Sequence, residues 1–525
     1  MTNDGADARH GPGVIEPPAK RPSGRLPAAV EPGGQARRVT WMLWGVLVGI
    51  GTLIRIPQLS HSLYESYAFR QTQTAFIIQK YASDGIDLSL SPLPVFGRDS
   101  NVPLELPLFQ ALGALLVQTG LTPDTAARLL ALISFQAAGL MLSIIVCRWH
   151  GGRVAVVALA LFEFLPFGLY WGAASLIDFF SVALALTMVY FLDRWFNGGS
   201  TPTLVAGSVA GVLAFLVKPT TAPSWSLLLL ASAAMVIHRV GWRAVWKRMA
   251  MGFAVGPGLG LVAATIWTMY ADSVKKNNPL TEFLVSSALR DWSFGTPQQR
   301  ANPDFYLAVL DSIGDRIAGP LLLTVALGAV AALFLPSPLQ RMSTCGWLLV
   351  AISAPFVFLN LYYMHAYYLI ATYPAIVTVM AIGIVWAARF LTVVRWQRFA
   401  TVALTGLIVM VVGLLTPEAR LDVSGLFRGQ PVPESTVAIR AETPTGARII
   451  TIGCDWDPTH LYYAQREGVM FRDPTSGSFW EGEPITDYPF LLSCHPGLDP
   501  EQWLPAGYTA VAGRAPGLYR VVRNP

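Results

Sequence analysis

Charged residues are scarce in this chain of 525 residues, because Asp, Glu, Lys and Arg together make up only 13% of it. Soluble domains carry roughly one-quarter charged residues. Hydrophobic residues reach 53%, and the mean hydropathy is +0.47. The composition therefore excludes an ordinary soluble enzyme and predicts an integral membrane protein.

Several familiar chemical motifs are also missing. The four cysteines form no CxxC pair, and the sequence has no HExxH motif, no phosphate-binding glycine loop and no GxSxG elbow. Basic residues exceed acidic ones only slightly, 37 against 32, and they are scattered along the chain. Because a basic stripe with interleaved aromatic residues is absent, we expect no nucleic acid among the partners.

Long apolar runs fill the middle of the chain and predict about eleven membrane spans. They lie near residues 41–57, 129–147, 154–174, 175–192, 203–217, 220–237, 249–270, 317–336, 346–364, 366–388 and 399–416. The run 106–119 is too short to cross a bilayer, so we expect a helix in the outer interface there. Residues 1–40 are rich in proline and glycine, which indicates a disordered tail.

Charge in the short loops predicts the orientation of the chain. Arg37 and Arg38 precede the first span, which favours a cytoplasmic N-terminus. If 106–119 does not span, the loops on that same side are all basic; they are 148–153, 193–199, 238–248, 336–341 and 387–398. We therefore expect a multi-pass protein of the cytoplasmic (inner) membrane, with a membrane domain at 41–416 and external loops at 58–120 and 271–316.

Residues 417–525 differ from the rest, because charge rises and apolar runs shorten. This change predicts a small soluble α/β domain on the extracytoplasmic side. We expect two parallel strands, a helix between them and an edge pair of strands. These elements are Arg448–Cys454, Tyr488–Cys494, Thr459–Glu467, Tyr508–Ala512 and Gly517–Val522.

Cys454 and Cys494 each end one of the predicted strands, whereas Cys147 and Cys345 lie at membrane spans. A disulfide between Cys454 and Cys494 follows if their strands are neighbours and the compartment is oxidising. Two unpaired buried thiols are the alternative.

The segment from His61 to Gln110 is the most informative part of the sequence. Its densest clusters are ESYAFRQTQTA at Glu65–Ala75 and VPLELPLF at Val102–Phe109. Together they resemble the first external loop of polytopic GT-C-type glycosyltransferases that use polyprenyl-phosphate sugars, the bacterial relatives of the protein mannosyltransferase and aminoarabinose transferase families. The resemblance covers residues 41–390.

The resemblance implies a GT-C-like helical membrane fold and an inverting transfer of a sugar from a polyprenyl phosphate. The acceptor would be a glycan, a lipid or a protein at the outer face of the membrane. Such a transfer needs a base for the acceptor hydroxyl, cations for the leaving phosphate and a groove for the lipid. A lipid-sugar transporter or flippase and a non-catalytic membrane scaffold are the alternative functions. A transporter of this size is expected to show internal repeats, and the sequence has none.

An acidic residue of the first external loop is the base in the resembled families, and Glu65 is the nearest match. Many relatives have an aspartate at the position of Gln73, but an amide cannot act as a base. Glu105 is next in line, and its alternative is a structural role as a helix cap or as a partner of Arg70. The other acidic candidates of the loop are Asp84, Asp87 and Asp99.

Asp178, at the outer start of a span, matches a second acidic position of these transferases. The resemblance implies that it orients the acceptor or helps to hold a divalent metal ion, and the sequence does not decide between these roles. Lys218 and Arg70 are the candidate cations for the donor phosphate. Their alternative is to extend to lipid headgroups, as basic residues near helix ends commonly do.

His365 begins an element that resembles an HxYY motif, although Ala366 stands where many relatives have an acidic residue. We expect His365 to hydrogen-bond the donor phosphate or the acceptor. Gln71, Gln73, Tyr367 and Tyr368 are the further candidates for substrate binding. An aromatic belt at the membrane interface is the alternative explanation of the tyrosines.

Glu163 is the one acidic residue predicted deep inside a span. Charges at that depth face the interior of the helix bundle and often have a function. The sequence assigns it no partner, so a functional glutamate and a hydrogen-bonded structural glutamate both stay open.

Overall fold

The computed structural model describes residues 34–319, 322–391, 396–415, 428–474, 480 and 483–525. Most of the predicted tail at 1–40 lies outside these residues, and so does the predicted start of the C-terminal domain. The first helix begins at Gly34, ahead of the predicted start of the first span.

The first part of the chain is built of α-helices. They are α1 (Gly34–Arg55), α2 (Ala68–Asp84), α3 (Leu108–Val117), α4 (Pro123–His150), α5 (Gly152–Phe164), α6 (Pro166–Trp171), α7 (Asp178–Phe196), α8 (Thr201–Val217), α9 (Ala222–Val240), α10 (Trp242–Phe253), α11 (Leu259–Lys275), α12 (Arg290–Phe294), α13 (Pro297–Ala301), α14 (Pro303–Ile313), α15 (Leu322–Phe334), α16 (Pro338–Val357), α17 (Leu359–Met364), α18 (Tyr373–Leu391) and α19 (Gln397–Leu415). Short 3₁₀ helices at Ile56–Ser60, Pro279–Leu284 and Ala366–Ala371, and π-helical turns at Ala254–Gly258 and Gly314–Ala318, connect or extend them.

Six helical stretches among the described residues are long and apolar enough to cross a membrane. They are Arg38–Ser60, Pro123–His150, Asp178–Phe196, Ala222–Val240, Trp242–Lys275 and Tyr373–Phe390. The prediction of a multi-pass membrane protein is therefore confirmed, while the count of about eleven spans stays a prediction. One predicted span, 154–174, consists of two helices, because Pro166 begins a new helix after the extended residue Leu165.

The α3 helix agrees with the expectation that the short apolar run at 106–119 does not cross the membrane, while its place in the outer interface stays a prediction. It has 10 residues, which at a rise of about 1.5 Å per residue span roughly half of the hydrocarbon core of a bilayer. Phe109 and Ala114 on α3 are buried against neighbouring helices.

Close packing of the bundle depends on aromatic rings and on small residues. The rings of Phe135 and Phe162 stack with centroids 4.3 Å apart, and Tyr373 packs 5.3 Å from Phe162. Where α15 meets α18, a Cβ on Gly328 would lie 2.2 Å from the carbonyl oxygen of Val379. Only glycine permits this approach, as is common where membrane helices pack.

The C-terminal domain contains a five-stranded sheet with the order β2-β1-β3-β5-β4. The strands are β1 (Arg448–Ile452), β2 (Glu467–Phe471), β3 (Phe490–Ser493), β4 (Tyr508–Ala512) and β5 (Leu518–Arg523), and the helices are α20 (Glu434–Glu442) and α21 (Thr459–Ala464). β1 is parallel to both β2 and β3, whereas β5 is antiparallel to β3 and β4. The sheet and its edge pair agree with the predicted α/β domain.

One strand of this sheet was not predicted. The predicted helix at Thr459–Glu467 ends early, because Gln465 adopts a left-handed backbone conformation with φ 55°. Glu467 then begins β2. The apolar run GVMF is too short to be distinguished from the end of a helix by periodicity.

The first long loop packs against the C-terminal domain and extends its sheet. Phe96 pairs antiparallel with Val469 of β2, and the N–H of Met470 donates to the carbonyl of Val95 at 2.8 Å. This pairing covers backbone groups at an edge that would otherwise be open. The loop and the domain therefore share one end of the helical bundle, which is called the domain face below.

Candidate active site

A small cavity of about 30 Å³ lies at the domain face, where α2, the segment before α3, the start of α7 and the end of α8 meet. On α2 the lining residues are Arg70, Gln73, Thr74 and Ile77. Their spacing places them on one side of the helix. Glu105, Asp178 and Lys218 also line it. Five predicted site residues, Gln73 included, therefore surround one space.

Arg70 joins the two sides of the cavity. Its Nη2 lies 3.3 Å from Oε1 of Glu105, and its Nη1 donates to Oε1 of Gln73 at 3.0 Å. The side chains of Arg70 and Glu105 are 14% and 22% exposed. The pair is thus reachable by solvent, unlike a buried structural ion pair.

Lys218 and Asp178 form the second pair of the cavity and are almost fully buried. Nζ of Lys218 lies 3.0 Å from Oδ1 and 3.0 Å from Oδ2 of Asp178. Lys218 follows the last residue of α8, and its ammonium group lies 5.0 Å from the ring centroid of Tyr368 and 5.6 Å from that of Tyr367. These distances allow cation–π attraction, so the two tyrosines contact a candidate phosphate ligand.

His365 lies among aromatic rings beside the same cations. Its ring centroid is 5.5 Å from that of Tyr67 and 5.6 Å from that of Tyr367. Burial, together with the positive charges of Arg70 and Lys218, lowers the pKa of His365 to about 4. His365 is therefore neutral near pH 7. Its buried Nδ1 has no hydrogen-bond partner among the described residues.

Ala366 occupies the position where the resembled families often carry an acidic residue. Its backbone N–H donates to the hydroxyl of Tyr67 at 3.0 Å. Tyr67 precedes α2 with a left-handed backbone, φ 56°. In this chain the position therefore anchors the start of α2 instead of supplying a charge.

Glu65, the first candidate for the base, does not line the cavity. Its Oε1 lies 2.8 Å from Nη2 of Arg128, and the two side chains are 6% and 0% exposed. Arg128 also donates to the carbonyls of Ser62 and Ala173, at 2.6 and 3.2 Å. Glu65 thus belongs to a buried network that fixes the path of the first loop.

Gln71 is likewise engaged in the structure. Its Oε1 accepts the backbone N–H of Ser175 at 3.0 Å, and its Nε2 donates to the carbonyl of Ser66 at 3.1 Å. The side chain is fully buried and ties α2 to the segment before α7. The remaining acidic candidates of the loop, Asp84, Asp87 and Asp99, also do not line the cavity.

Glu163 has a partner that the sequence did not reveal. Nη1 of Arg55 lies 3.0 Å from Oε2 of Glu163, and both side chains are 0% exposed. Arg55 also donates to the carbonyls of Glu163 and Gly168, at 2.8 and 2.9 Å. The available signal was an arginine inside the predicted span 41–57.

Trp456 of the C-terminal domain reaches the cavity residues from outside, which the sequence also did not predict. Its ring centroid lies 6.0 Å from Cζ of Arg70, and its carbonyl accepts a long hydrogen bond of 3.5 Å from Nε2 of Gln73. Two residues earlier, Cys454 forms a disulfide with Cys494, with Cα atoms 5.1 Å apart. The disulfide links the ends of the neighbouring strands β1 and β3.

The cavity does not present a ready set of metal ligands. Among the described residues, no group of three or more His, Cys, Asp and Glu side chains could hold a metal ion. Each cavity carboxylate is bound to a cation, Glu105 to Arg70 and Asp178 to Lys218. As arranged, with both carboxylates paired, these residues do not fit a divalent metal ion. The expectation that Asp178 helps to hold one is not tested by this arrangement and stays a prediction.

This chain is similar to known proteins in structure, but no similarity in sequence was found. No protein-family model matches the chain, and no curated protein sequence matches it. Among solved structures, ArnT from Cupriavidus metallidurans bound to undecaprenyl phosphate superimposes with a TM-score of 0.58 at 14% identity, over 93% of this chain and 97% of that chain. The same protein in the apo state gives a TM-score of 0.53 at 12% identity, over 92% and 98%.

A second protein of similar structure is archaeal. The oligosaccharyltransferase AglB from Archaeoglobus fulgidus, in complex with an inhibitory peptide and a dolichol-phosphate, has a TM-score of 0.55 at 13% identity, over 88% of this chain and 70% of that chain. The similarity extends over nearly the whole described chain. At the level of the fold, it confirms the resemblance that the first loop predicted.

Proposed function

We propose that this protein is a membrane glycosyltransferase that moves a sugar from a polyprenyl-phosphate donor to an acceptor hydroxyl with inversion. The observation that carries the proposal is the meeting of two cations and two carboxylates around one cavity at the domain face. The structures similar in fold supply support, because one is bound to undecaprenyl phosphate and another to a dolichol-phosphate. Fold similarity alone does not establish a function.

Arg70 and Lys218 are the proposed ligands of the donor phosphate. Arg70 offers a planar group that can donate to two phosphate oxygens, and Lys218 offers a compact charge. The growing negative charge of a leaving phosphate is stabilised best by groups already held in place. Tyr367 and Tyr368 beside Lys218, and Gln73 on Arg70, hold the two cations.

Glu105 is the proposed base. It is the more exposed carboxylate of the cavity, whereas Glu65 is enclosed with Arg128 outside the cavity. A phosphate that takes donors of Arg70 would release the carboxylate of Glu105 for the acceptor. Asp178 keeps Lys218 in place, and we assign to it the orientation of that cation.

The step balances without a further reactant. Glu105 takes the proton of the acceptor hydroxyl, and the oxygen attacks the anomeric carbon from the face opposite to the phosphate. The bond between that carbon and the phosphate oxygen breaks, and its electron pair leaves with the phosphate bound to Arg70 and Lys218. One displacement of this kind inverts the anomeric configuration.

The proposal is tested with purified protein and radiolabelled undecaprenyl-phosphate sugars, by following label that appears on an acceptor extract from the membrane. Glu105→Gln should lower turnover by roughly 10²–10⁴-fold, because the amide lacks the basic lone pair. Glu65→Gln is the matched control, and its folded fraction should retain turnover within a few-fold. A transporter, flippase or scaffold would give no transfer with any variant.

The roles of the two glutamates are reversed if Glu65→Gln abolishes transfer while Glu105→Gln retains it. The proposed activity itself is ruled out if the unmodified protein binds the donor but transfers none of the sugars tried.

The outer face of the cytoplasmic membrane is the proposed side for the reaction. Basic loops at the opposite end of the bundle support this orientation. Cysteine labelling in intact cells tests it: a thiol introduced at Ser293 should react with an impermeant reagent, and a thiol at Ala244 should not. The reverse pattern would place the domain face in the cytoplasm.

A further inference from the structure

Aromatic rings from four separate parts of the chain lie side by side next to Arg70. Trp292 of α12 contacts His365 with centroids 5.8 Å apart, His365 contacts Phe69 of α2 at 5.9 Å, and Phe69 contacts Trp456 at 6.2 Å. We call these four residues the aromatic rim. They follow one another from the second long loop to the C-terminal domain.

The C-terminal domain holds Trp456 firmly at this rim. The disulfide at Cys454 precedes it, and Asp455 adopts a left-handed backbone with φ 50°. Asp457 then accepts the N–H of Thr459 at the start of α21, at 2.8 Å. On its other side the indole meets the ring of Phe283 edge-on at 6.2 Å. The segment is therefore fixed at both ends.

The rim is not an ordinary hydrophobic core. Trp456, Phe69 and His365 are only partly buried, and Trp292 is 42% exposed. Core tryptophans of the same protein, such as Trp225 and Trp347, are fully buried. A row of partly exposed aromatic rings beside the cations Arg70 and Lys218 resembles a binding surface more than a packed interior.

We propose that the aromatic rim is the surface on which the sugar of the donor rests, and that Trp456 makes an aromatic contact with it. The inference rests on the proposed function and names the part of the substrate that is recognised, a pyranose ring. The C–H groups on one face of a pyranose are weakly positive and pack against the negative face of an aromatic ring.

The distances suit this arrangement. In a glycosyl phosphate the sugar is joined directly to a phosphate oxygen, so it must lie within one ring diameter of the groups that bind the phosphate. The indole of Trp456 lies 6.0 Å from the guanidinium of Arg70. Gln73 connects the two, because it accepts from Arg70 and donates to the carbonyl of Trp456. The C-terminal domain thereby becomes part of the donor site.

The test compares two kinds of probe on the full-length protein in detergent: undecaprenyl phosphate, and undecaprenyl phosphate carrying glucose, mannose or arabinose. Trp456→Ala should weaken binding of the best glycosylated probe by about 2- to 10-fold, the range expected for loss of one aromatic contact. Binding of undecaprenyl phosphate itself should stay within twofold. Trp456→Phe should recover most of the loss, because it keeps an aromatic face.

Tyr463→Phe is the control variant. Its hydroxyl donates to Asp124 of α4 at 2.9 Å and so helps to dock the domain, but its ring lies outside the rim. The Tyr463→Phe variant should bind both probes with the same affinity as the unmodified protein.

Two results would overturn the inference. If Trp456→Ala binds the glycosylated probes as the unmodified protein does, Trp456 makes no sugar contact. If it loses both probes equally, Trp456 acts only through Arg70 and is structural. Failure of the proposed function would look different, because the unmodified protein would then transfer no label to an acceptor, even if it bound the glycosylated probes.

Discussion

Two arginine–glutamate pairs of this protein have similar geometry but different surroundings. Arg55 and Glu163 lie inside the helix bundle with both side chains 0% exposed, whereas Arg70 and Glu105 at the domain face are 14% and 22% exposed. The first pair sits 3.0 Å apart and the second 3.3 Å. Contact distance alone therefore does not separate a structural pair from a functional one.

The two pairs differ in the other hydrogen bonds that each arginine makes. Both terminal nitrogens of Arg55 also donate to backbone carbonyls, at Gly51, Glu163 and Gly168. The bonds to Glu163 and Gly168 join α1 to the break between α5 and α6. Arg70 contacts side chains only, Glu105 and Gln73, and lines a cavity. An arginine whose donors can be taken over by a ligand is the better candidate for binding.

The largest effect is expected at the buried pair. Arg55→Met leaves the carboxylate of Glu163 without its partner in the bundle, which should lower the free energy of unfolding by about 3–5 kcal/mol. Arg55→Met with Glu163→Leu should recover much of the loss, because no charge is left buried. Thermal unfolding in detergent measures both. Equal stability of the single variant and the unmodified protein would make the pair dispensable.

The disulfide of the C-terminal domain should have the next largest effect. Cys454 and Cys494 are separated by 40 residues, and closing such a loop stabilises a domain by about 3–4 kcal/mol. Cys454→Ser with Cys494→Ser should lower the stability of this domain by that amount. Intact-mass measurement after alkylation without reductant checks the bond itself, and two added alkyl groups at these positions would rule it out.

At the domain face we expect a change in binding and little change in stability. Arg70→Ala removes charge-assisted hydrogen bonds of about 1.5–3 kcal/mol, so the affinity for undecaprenyl phosphate should fall by about 10- to 150-fold. Lys80→Ala is the matched control on the same helix, because Lys80 pairs with Glu467 away from the cavity. If both variants bind equally well, Arg70 does not contact the phosphate.

The smallest effect concerns His365. Its lowered pKa of about 4 means that it carries no charge between pH 6 and 8 before the ligand binds. A neutral His365→Gln variant should therefore show the same pH dependence of undecaprenyl-phosphate binding across that range as the unmodified protein. Titration of the phosphate itself is common to both and cancels. A step near pH 6.5 that only the unmodified protein shows would mean that His365 binds as a cation.

Features of the fold that depend on neighbouring residues or on a short hydrophobic period could be predicted from the sequence. The length of α3, the strands that precede Cys454 and Cys494, and the helical bundle follow from hydropathy and from local pattern. Residues of one face were also recognised, since Arg70, Glu105, Asp178 and Lys218 were expected together and line one cavity. Their chemical roles stay predictions.

Pairings between distant segments could not be read in the same way. Arg128 is 63 residues from Glu65, and Arg55 is 108 residues from Glu163, and no local period connects such partners. Trp456 could not be assigned to the site for the same reason, because its neighbour Arg70 lies in another domain. Only the packing of the C-terminal domain on α2 brings the two together.

A structure of the protein with bound undecaprenyl phosphate would show whether the donor phosphate binds to Arg70 and Lys218. We expect the phosphate at the domain face within hydrogen-bond distance of both Arg70 and Lys218, with Glu105 moved away from Arg70 and the Arg55–Glu163 pair unchanged. A phosphate bound elsewhere, with the Arg70–Glu105 and Lys218–Asp178 pairs still closed, would contradict it.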